Sequence, residues 1–344
     1  MSDWTTDETT LNNCANRDRT VLTDLSAAKP EISYHKIMAT SSLLNHLPLP
    51  GKHMTSLPPF IYGTAWKKDL TTSLVQQALQ NGFTAIDTAC QPRHYREDLV
   101  GEGMRKYLAS TGGRLSRSDL YIQSKFTSIN GQDPNNVPYN PKASLTDQVQ
   151  TSIETSLRNF TMSDAKAPYL DSLILHSPMP SMHETLEVWQ ALEQYVPEKI
   201  RNLGISNTNL YTLMELYERA SVKPAVVQNR FYADTKYDIA VRQLCAEKGM
   251  VYQSFWTLTA NPQLLRSKVV QGVAKNLQIE PTNALYCLVL GLGNTVILNG
   301  TKSEEHMRAD WEAVAKVREY ATGNEKTWTE VMGSFRKTIG EKAD

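Results

Sequence analysis

Asp87, Lys125 and His176 are a carboxylic acid, a primary amine and an imidazole, and each ends a short β-rich run: FTAID, LYIQSK and YLDSLILH. A phenol, Tyr95, follows the first of these runs by eight residues. These four types suit one kind of chemistry. Addition of hydride to a carbonyl carbon needs a proton at the oxygen. A phenol with an ordinary pKa of about 10 donates reversibly near neutral pH only if its anion is stabilised. An ammonium beside the phenol would stabilise it, a carboxylate would hold the ammonium in place, and an imidazole would orient or polarise the substrate oxygen. Taken singly, each residue has an ordinary structural reading: a hydrogen-bonded core histidine, an ion pair, a loop aromatic. The combination is what points to chemistry.

Such residues meet only if the strands that carry them are neighbours. From Phe60 onward, short β-rich runs alternate with segments of helical period. IYGTA precedes TTSLVQQALQNG, FTAIDTA precedes REDLVGEGMRKYLAST, and LYIQSKF precedes LTDQVQTSIETSLRNF. Five further pairs follow, the last being NTVILNG with EEHMRADWEAVAKV. The strand runs are almost continuously apolar, as parallel strands covered by helices should be. Gly82 and Gly249 stand just past the ends of predicted helices, where a left-handed residue is favoured. Eight such units predict an α/β fold, a (β/α)8 TIM barrel over residues 56–344, preceded by an irregular extension over 1–55 that finishes in LPLPGKHMTSLPP. In that architecture chemistry sits at the C-terminal strand ends. Polar residues recur there, at Gly63-Thr64, Asp87, Lys125, His176, Ser206-Asn207, Gln228-Asn229 and Asn299-Gly300, and Phe255-Trp256 ends another strand. Adjacent parallel strands lie about 4.8 Å apart, so Asp87, Lys125 and His176 should converge, with Tyr95 folding over the same mouth.

Composition removes other classes. Lys plus Arg and Asp plus Glu are balanced at 36 each in 344 residues, with no basic run, so neither a nucleic-acid nor a membrane partner is expected. Cysteines 14, 90, 245 and 287 form no CxxC pair and show no histidine at metal-ligand spacing, so no metal is expected. The polar, acidic start and the lack of an 18-residue apolar run lead us to expect a soluble cytoplasmic protein, monomeric or a weak homo-oligomer.

GTAWK at 63–67, IDTA at 86–89, EDLVG at 97–101, QSK at 123–125, LILHSP at 173–178, LGISN at 203–207 and VVQNRF at 226–231 resemble, in combination and in order, the aldo-keto reductase superfamily. IDTACQPRHYREDLVG and VYQSFWTLTANP further resemble a fungal branch of it, of the kind associated with secondary metabolism. The resemblance covers about residues 58–315 and implies reduction of an aldehyde or ketone by NAD(P)H. On this pattern the catalytic tetrad falls on Asp87, Tyr95, Lys125 and His176. The cofactor site falls on Gly63, Thr64, Ala65, Asp87, Ser206, Asn207, Gln228, Phe255, Trp256, Leu258, Asn299, Gly300, Thr301, Lys302 and His306. Within that set Ser206, Asn207 and Gln228 would hold the nicotinamide carboxamide, and Phe255, where the family usually has Tyr, would stack on the ring. Trp66, Tyr95, His176 and Trp256 would line the substrate side. GLG at 291–293 precedes a strand rather than a helix, so it is read as a turn and not as a Rossmann fingerprint.

Two departures bear on these expectations. Tyr95 lies eight residues from Asp87, three more than the family spacing, which leaves His94 as a competitor for the acid position. After the last strand, where the family commonly shows a Lys-Ser pair and a later Arg that clamp an adenosine 2′-phosphate, ILNGTKSEEHMRAD offers Asn299-Gly300 instead, with Lys302 and His306 as the nearby cations. The resemblance still implies NADPH, with NADH or dual use open. A small carbonyl substrate is expected, apolar or aromatic rather than charged. The long polar loop at 128–143 reads as a lid or as a plain excursion. Two other activities fit the same residues: a non-redox dehydration or cyclisation on the same barrel, and a nucleotide-binding regulatory subunit.

Overall fold

The structure is a computed structural model that describes residues 46–163 and 166–342. Most of the expected N-terminal extension, residues 1–45, lies outside the described residues. Its last part is ordered as an antiparallel pair, β1 (Leu47–Pro48) with β2 (Ser56–Leu57).

Eight strands then follow: β3 (Phe60–Gly63), β4 (Ala85–Asp87), β5 (Tyr121–Phe126), β6 (Ser172–Leu175), β7 (Leu203–Ser206), β8 (Val226–Arg230), β9 (Val251–Phe255) and β10 (Thr295–Asn299). They pair in parallel and in sequence order, and β10 returns to β3 to close the barrel. The predicted (β/α)8 fold is what forms. The helices in order are α1 (Thr71–Gln80), α2 (Glu97–Ser110), α3 (Leu145–Asn159), α4 (Met182–Glu193), α5 (Leu210–Arg219), α6 (Ile239–Lys248), α7 (Pro262–Leu265), α8 (Lys268–Leu277), α9 (Pro281–Leu290), α10 (Glu304–Gly323) and α11 (Glu325–Thr338). Gly249 closes α6 at φ 71° and Gly82 follows α1 at φ 91°, as their positions predicted.

Side chains alternate along each strand, and the alternation sorts the barrel into two environments. Outward residues such as Ile122, Phe126, Leu173 and Leu175 join one large apolar cluster beneath the helices. Inward residues near the strand starts, Ile61, Ala85, Tyr121, Ile174, Val226, Val251 and Val296, form a second cluster, which Leu49 and Leu57 of the β1–β2 segment cover. The floor of the barrel is thus apolar and plugged. The polar side chains that could do chemistry lie toward the other end.

The helix α11 lies past the eight units read from the sequence, and two further helices were not legible as separate elements. Nearly every residue of α9 is buried, so it has no polar stripe to reveal a helical period. The run LLRSKVVQGVAKNL, read as one helix, breaks between Leu265 and Lys268, where the Ser267 hydroxyl accepts the Val270 N–H and starts a new helix.

Gly204 shows how tightly the sheet is built. A Cβ there would lie 2.7 Å from the Val226 carbonyl oxygen and would also overlap Ile174. Gly204→Ala is expected to cost about 1–3 kcal/mol, read as a lowered melting temperature. An unchanged melting temperature would mean that β6, β7 and β8 can spread without penalty.

Candidate active site

Asp87 is the last residue of β4, and its buried carboxylate is shared among three partners. Oδ2 accepts from Lys125 Nζ at 2.6 Å, and Oδ1 accepts from Gln123 Nε2 at 2.7 Å and Gln228 Nε2 at 3.0 Å. The glutamines belong to a layer of their own. Gln123 and Gln253 exchange amide hydrogen bonds at 2.8 Å each, and Gln228 Nε2 also reaches Gln253 Oε1 at 2.8 Å. Three strands, β5, β8 and β9, therefore brace one carboxylate across the barrel, above the apolar floor. Buried polar groups persist only when satisfied in this way.

Lys125 is fully enclosed, and its ammonium also donates to the Thr88 carbonyl at 2.8 Å. Burial pushes the Lys125 pKa down, and the Asp87 carboxylate works against that shift. The ring of Tyr95 lies on the open side, its centroid 5.1 Å from Lys125 Nζ and 6.1 Å from the His176 ring. Its hydroxyl makes no hydrogen bond to another described residue. Burial first, and the Asp87 charge second, push the Tyr95 pKa above the usual phenol value.

His176 follows β6. Its Nδ1 lies 2.6 Å from Thr127 Oγ1, and its carbonyl accepts from Asn207 Nδ2 at 2.9 Å. Burial, then the charges of Lys125, His94 and Arg230, hold its pKa well below the usual imidazole value, so the ring is neutral. His94 takes a different place. It packs on Trp66 with ring centroids 3.8 Å apart and the planes tilted by 36°, and its Nδ1 is buried without a partner.

The remaining expected residues lie at or after the C-terminal ends of the other strands. The Ser206 hydroxyl donates to the Gln228 carbonyl at 2.7 Å, and Asn207, at φ 53°, accepts from Arg230 at 2.8 Å. Thr64 is tied to the Asp87 carbonyl by both its amide, at 3.0 Å, and its hydroxyl, at 2.9 Å. The nearest atom to a Cβ added at Gly63 would be the Asn299 carbonyl oxygen, at 3.6 Å, so the protein itself does not demand glycine there. Trp66 and Trp256 stand half exposed on left-handed backbone, with φ 62° and 57°. Asn299 is spent internally: its amide donates to Asp310 at 2.6 Å and its oxygen accepts from the Thr301 amide at 3.0 Å. Lys302 and His306 are exposed at the start of α10, where the Ser303 hydroxyl accepts the His306 N–H.

Several site residues escaped the sequence reading. Gln123 and Gln253 were missed, although period-two spacing puts Gln123 on the same face as Lys125. Arg230, at the end of β8, lays its guanidinium 4.7 Å from the Trp256 ring centroid and 5.3 Å from that of Phe255. Lys67, the last residue of GTAWK, is buried with its ammonium on the Gly300 and Thr301 carbonyls beside Lys302. Burial, and then the Lys302 charge, lower its pKa to about 8. No cluster of three or more metal-ligating side chains occurs among the described residues, and no described helix is long and apolar enough to cross a membrane.

Residues 61–335 match the model of the Aldo/keto reductase family. The chain belongs to that family. Curated relatives of this aldo/keto reductase include an uncharacterized oxidoreductase, YtbE, of Bacillus subtilis, 28% identical over 202 residues that span 58% of this chain and 63% of that protein. Glyoxal reductase of the same organism is 28% identical over 207 residues, spanning 59% of this chain and 63% of that protein. D/L-glyceraldehyde reductase of Hypocrea jecorina is 28% identical over 227 residues, spanning 59% and 62%. The chain thus spans less than two thirds of the length of each of these relatives. Among solved structures, an aldo/keto reductase from Brucella melitensis superposes with a TM-score of 0.62 at 18% identity, covering 78% of this chain and 93% of that one. At that identity the likeness speaks to the fold.

Proposed function

We propose that this aldo/keto reductase reduces an aldehyde or ketone to the alcohol with NAD(P)H. The observation that carries the reading is the placement of Tyr95 between the neutral His176 and the Asp87–Lys125 pair at one end of the barrel. A bound dihydronicotinamide supplies the hydride. His176 orients the substrate carbonyl by donating to its oxygen. Tyr95 gives that oxygen its hydroxyl proton as the carbonyl π pair moves onto oxygen, and a solvent proton later restores the phenol. A phenol whose pKa is pushed up stays protonated across neutral pH, so Tyr95 holds its proton when the carbonyl arrives. Lys125 carries the charge that faces the resulting phenolate, and Asp87 fixes its position.

The residues at the mouth fit a dinucleotide. Phe255 offers a ring face, Gln228 keeps its Oε1 free of protein donors among the described residues, and the Lys67 and Lys302 ammoniums stand by the N-terminus of α10. Anions are stabilised at such a position by the helix dipole and its unpaired amides. Two ammoniums there support NADPH over NADH.

Lys67 makes the cofactor reading pH-dependent. Its folded pKa is lowered, so it is charged below about 8 and loses its proton as pH rises through that value. The Kd for NADPH is expected to rise about tenfold between pH 7 and pH 9 and to lose that dependence in Lys67→Met. A flat profile in the wild type would remove Lys67 from the phosphate site. The reading as a whole is tested by following NADPH consumption with a panel of aldehydes and ketones. Tight cofactor binding with no carbonyl reduced would overturn it.

A further inference from the structure

We infer that Thr127 is a positioning residue that fixes His176 as the Nε2–H tautomer, aiming a proton at the substrate oxygen; the inference rests on the reductase reading above. Thr127 follows β5 by one residue and is buried, and its hydroxyl oxygen lies 2.6 Å from His176 Nδ1. No other hydrogen bond of that hydroxyl occurs among the described residues.

The hydrogen count decides which group donates. If Nδ1 carried the proton, the imidazole would donate to Thr127 and the threonine hydrogen would be left in a buried site without an acceptor. Leaving a buried donor unpaired is unfavourable. A doubly protonated ring would create the same orphan. The arrangement that satisfies every group has the hydroxyl donating to a bare Nδ1, which puts the ring hydrogen on Nε2. Nε2 makes no bond to another described residue and is absent from the fully buried unpaired atoms, so it opens onto the mouth. An imidazole held by its far nitrogen, with a defined hydrogen on the near one, is oriented before substrate arrives.

Thr127 is itself held by the long loop that the sequence left as lid or excursion. Its carbonyl accepts from the Tyr139 hydroxyl at 2.7 Å and from Gln132 Nε2 at 3.2 Å. Tyr139 stacks on Phe126 at 5.9 Å, and Gln132 also ties to the Cys90 carbonyl at 3.0 Å. On the other side, Gly131 sits so close that a Cβ there would come within 2.7 Å of Thr127 Cγ2. The methyl is thus packed against Gly131 while the hydroxyl faces His176. Loop 128–143 acts here as a buttress that sets a rotamer, and the rotamer sets a tautomer.

The test combines magnetic resonance with kinetics on the full chain. In ¹⁵N-histidine-labelled protein at neutral pH, with His176 assigned through His176→Asn, the wild type is expected to show the Nε2–H tautomer. Thr127→Val, which keeps the shape and removes the hydroxyl, is expected to populate Nδ1–H as well. It should lower kcat about 10- to 100-fold with the Kd for NADPH within twofold. Thr127→Ser should recover the tautomer and most of the rate. An Nδ1–H tautomer in the wild type overturns the inference even if no variant folds. A Thr127→Val enzyme with kcat within twofold of wild type overturns it as well. If no carbonyl is reduced by the wild type, the reductase reading fails while the tautomer assignment is still decided by the spectra.

Discussion

Tyr95→Phe is expected to lower kcat for carbonyl reduction by about 10²- to 10⁴-fold, the range that a positioned general acid supplies, while the Kd for NADPH stays within a few-fold. The variant removes one oxygen and leaves the ring that packs 5.1 Å from the Lys125 ammonium. On the proposed mechanism the phenol loses the proton, so the loss should fall on kcat and kcat/KM together rather than on KM alone.

His94→Ala is the control that separates the two candidates for the acid. In sequence they compete, since the three-residue insertion after Asp87 leaves either free to enter the mouth. In space they are not equivalent. His94 lies against Trp66, whose amide donates to the His94 carbonyl at 2.8 Å, and burial with the Arg93 charge lowers its pKa. A histidine so placed is a wall and a poor acid. Its removal should alter KM for bulky substrates through Trp66 and leave kcat within about tenfold. A dead His94→Ala beside an active Tyr95→Phe would reverse the assignment.

How much of this was legible in the sequence follows from what each signal measures. Apolar runs and helical periods report burial, and burial is what closes a barrel, so all eight strands could be read. Buried helices such as α9 have no exposed face and so lose their period. Strand-end polarity located Asp87, Lys125 and His176, because polar residues at the end of an apolar strand need a reason. The supporting residues carry no such mark. Gln123 and Gln253 lie within strands: pairing of β4 with β5 brings Gln123 to Asp87, 36 residues away, and closure of the barrel brings the two glutamines together across 130. Thr127 is one of many threonines until β6 sets His176 beside it. Lys67 carries no role of its own within GTAWK, and only the return of β10 to β3 places it on the Gly300 and Thr301 carbonyls. Asn299, expected at the cofactor, turns toward α10 because Asp310 and the Thr301 amide claim both ends of its side chain.

The Asp87–Lys125 pair separates stability from turnover, and a double substitution should reveal it. Lys125→Met is expected to cost about 3–5 kcal/mol of folding stability, since it leaves a buried carboxylate without its ammonium. Asp87→Asn in the same background removes that charge. The substituted side chain then offers one amide oxygen to the Gln123 and Gln228 amides, which both already donate to Oδ1. Most of the lost stability should return in the double variant, because an uncharged pair of similar shape is about as stable in a buried site as the ion pair it replaces. Turnover should not return. With no cation beside Tyr95, the phenolate formed at the transition state has nothing to balance it, and kcat should stay near that of Lys125→Met alone. Denaturant midpoints and steady-state rates on the four proteins of the cycle measure both. Recovery of rate together with stability would mean that Lys125 serves only to hold the barrel mouth together and that the proton reaches the substrate by a route independent of its charge.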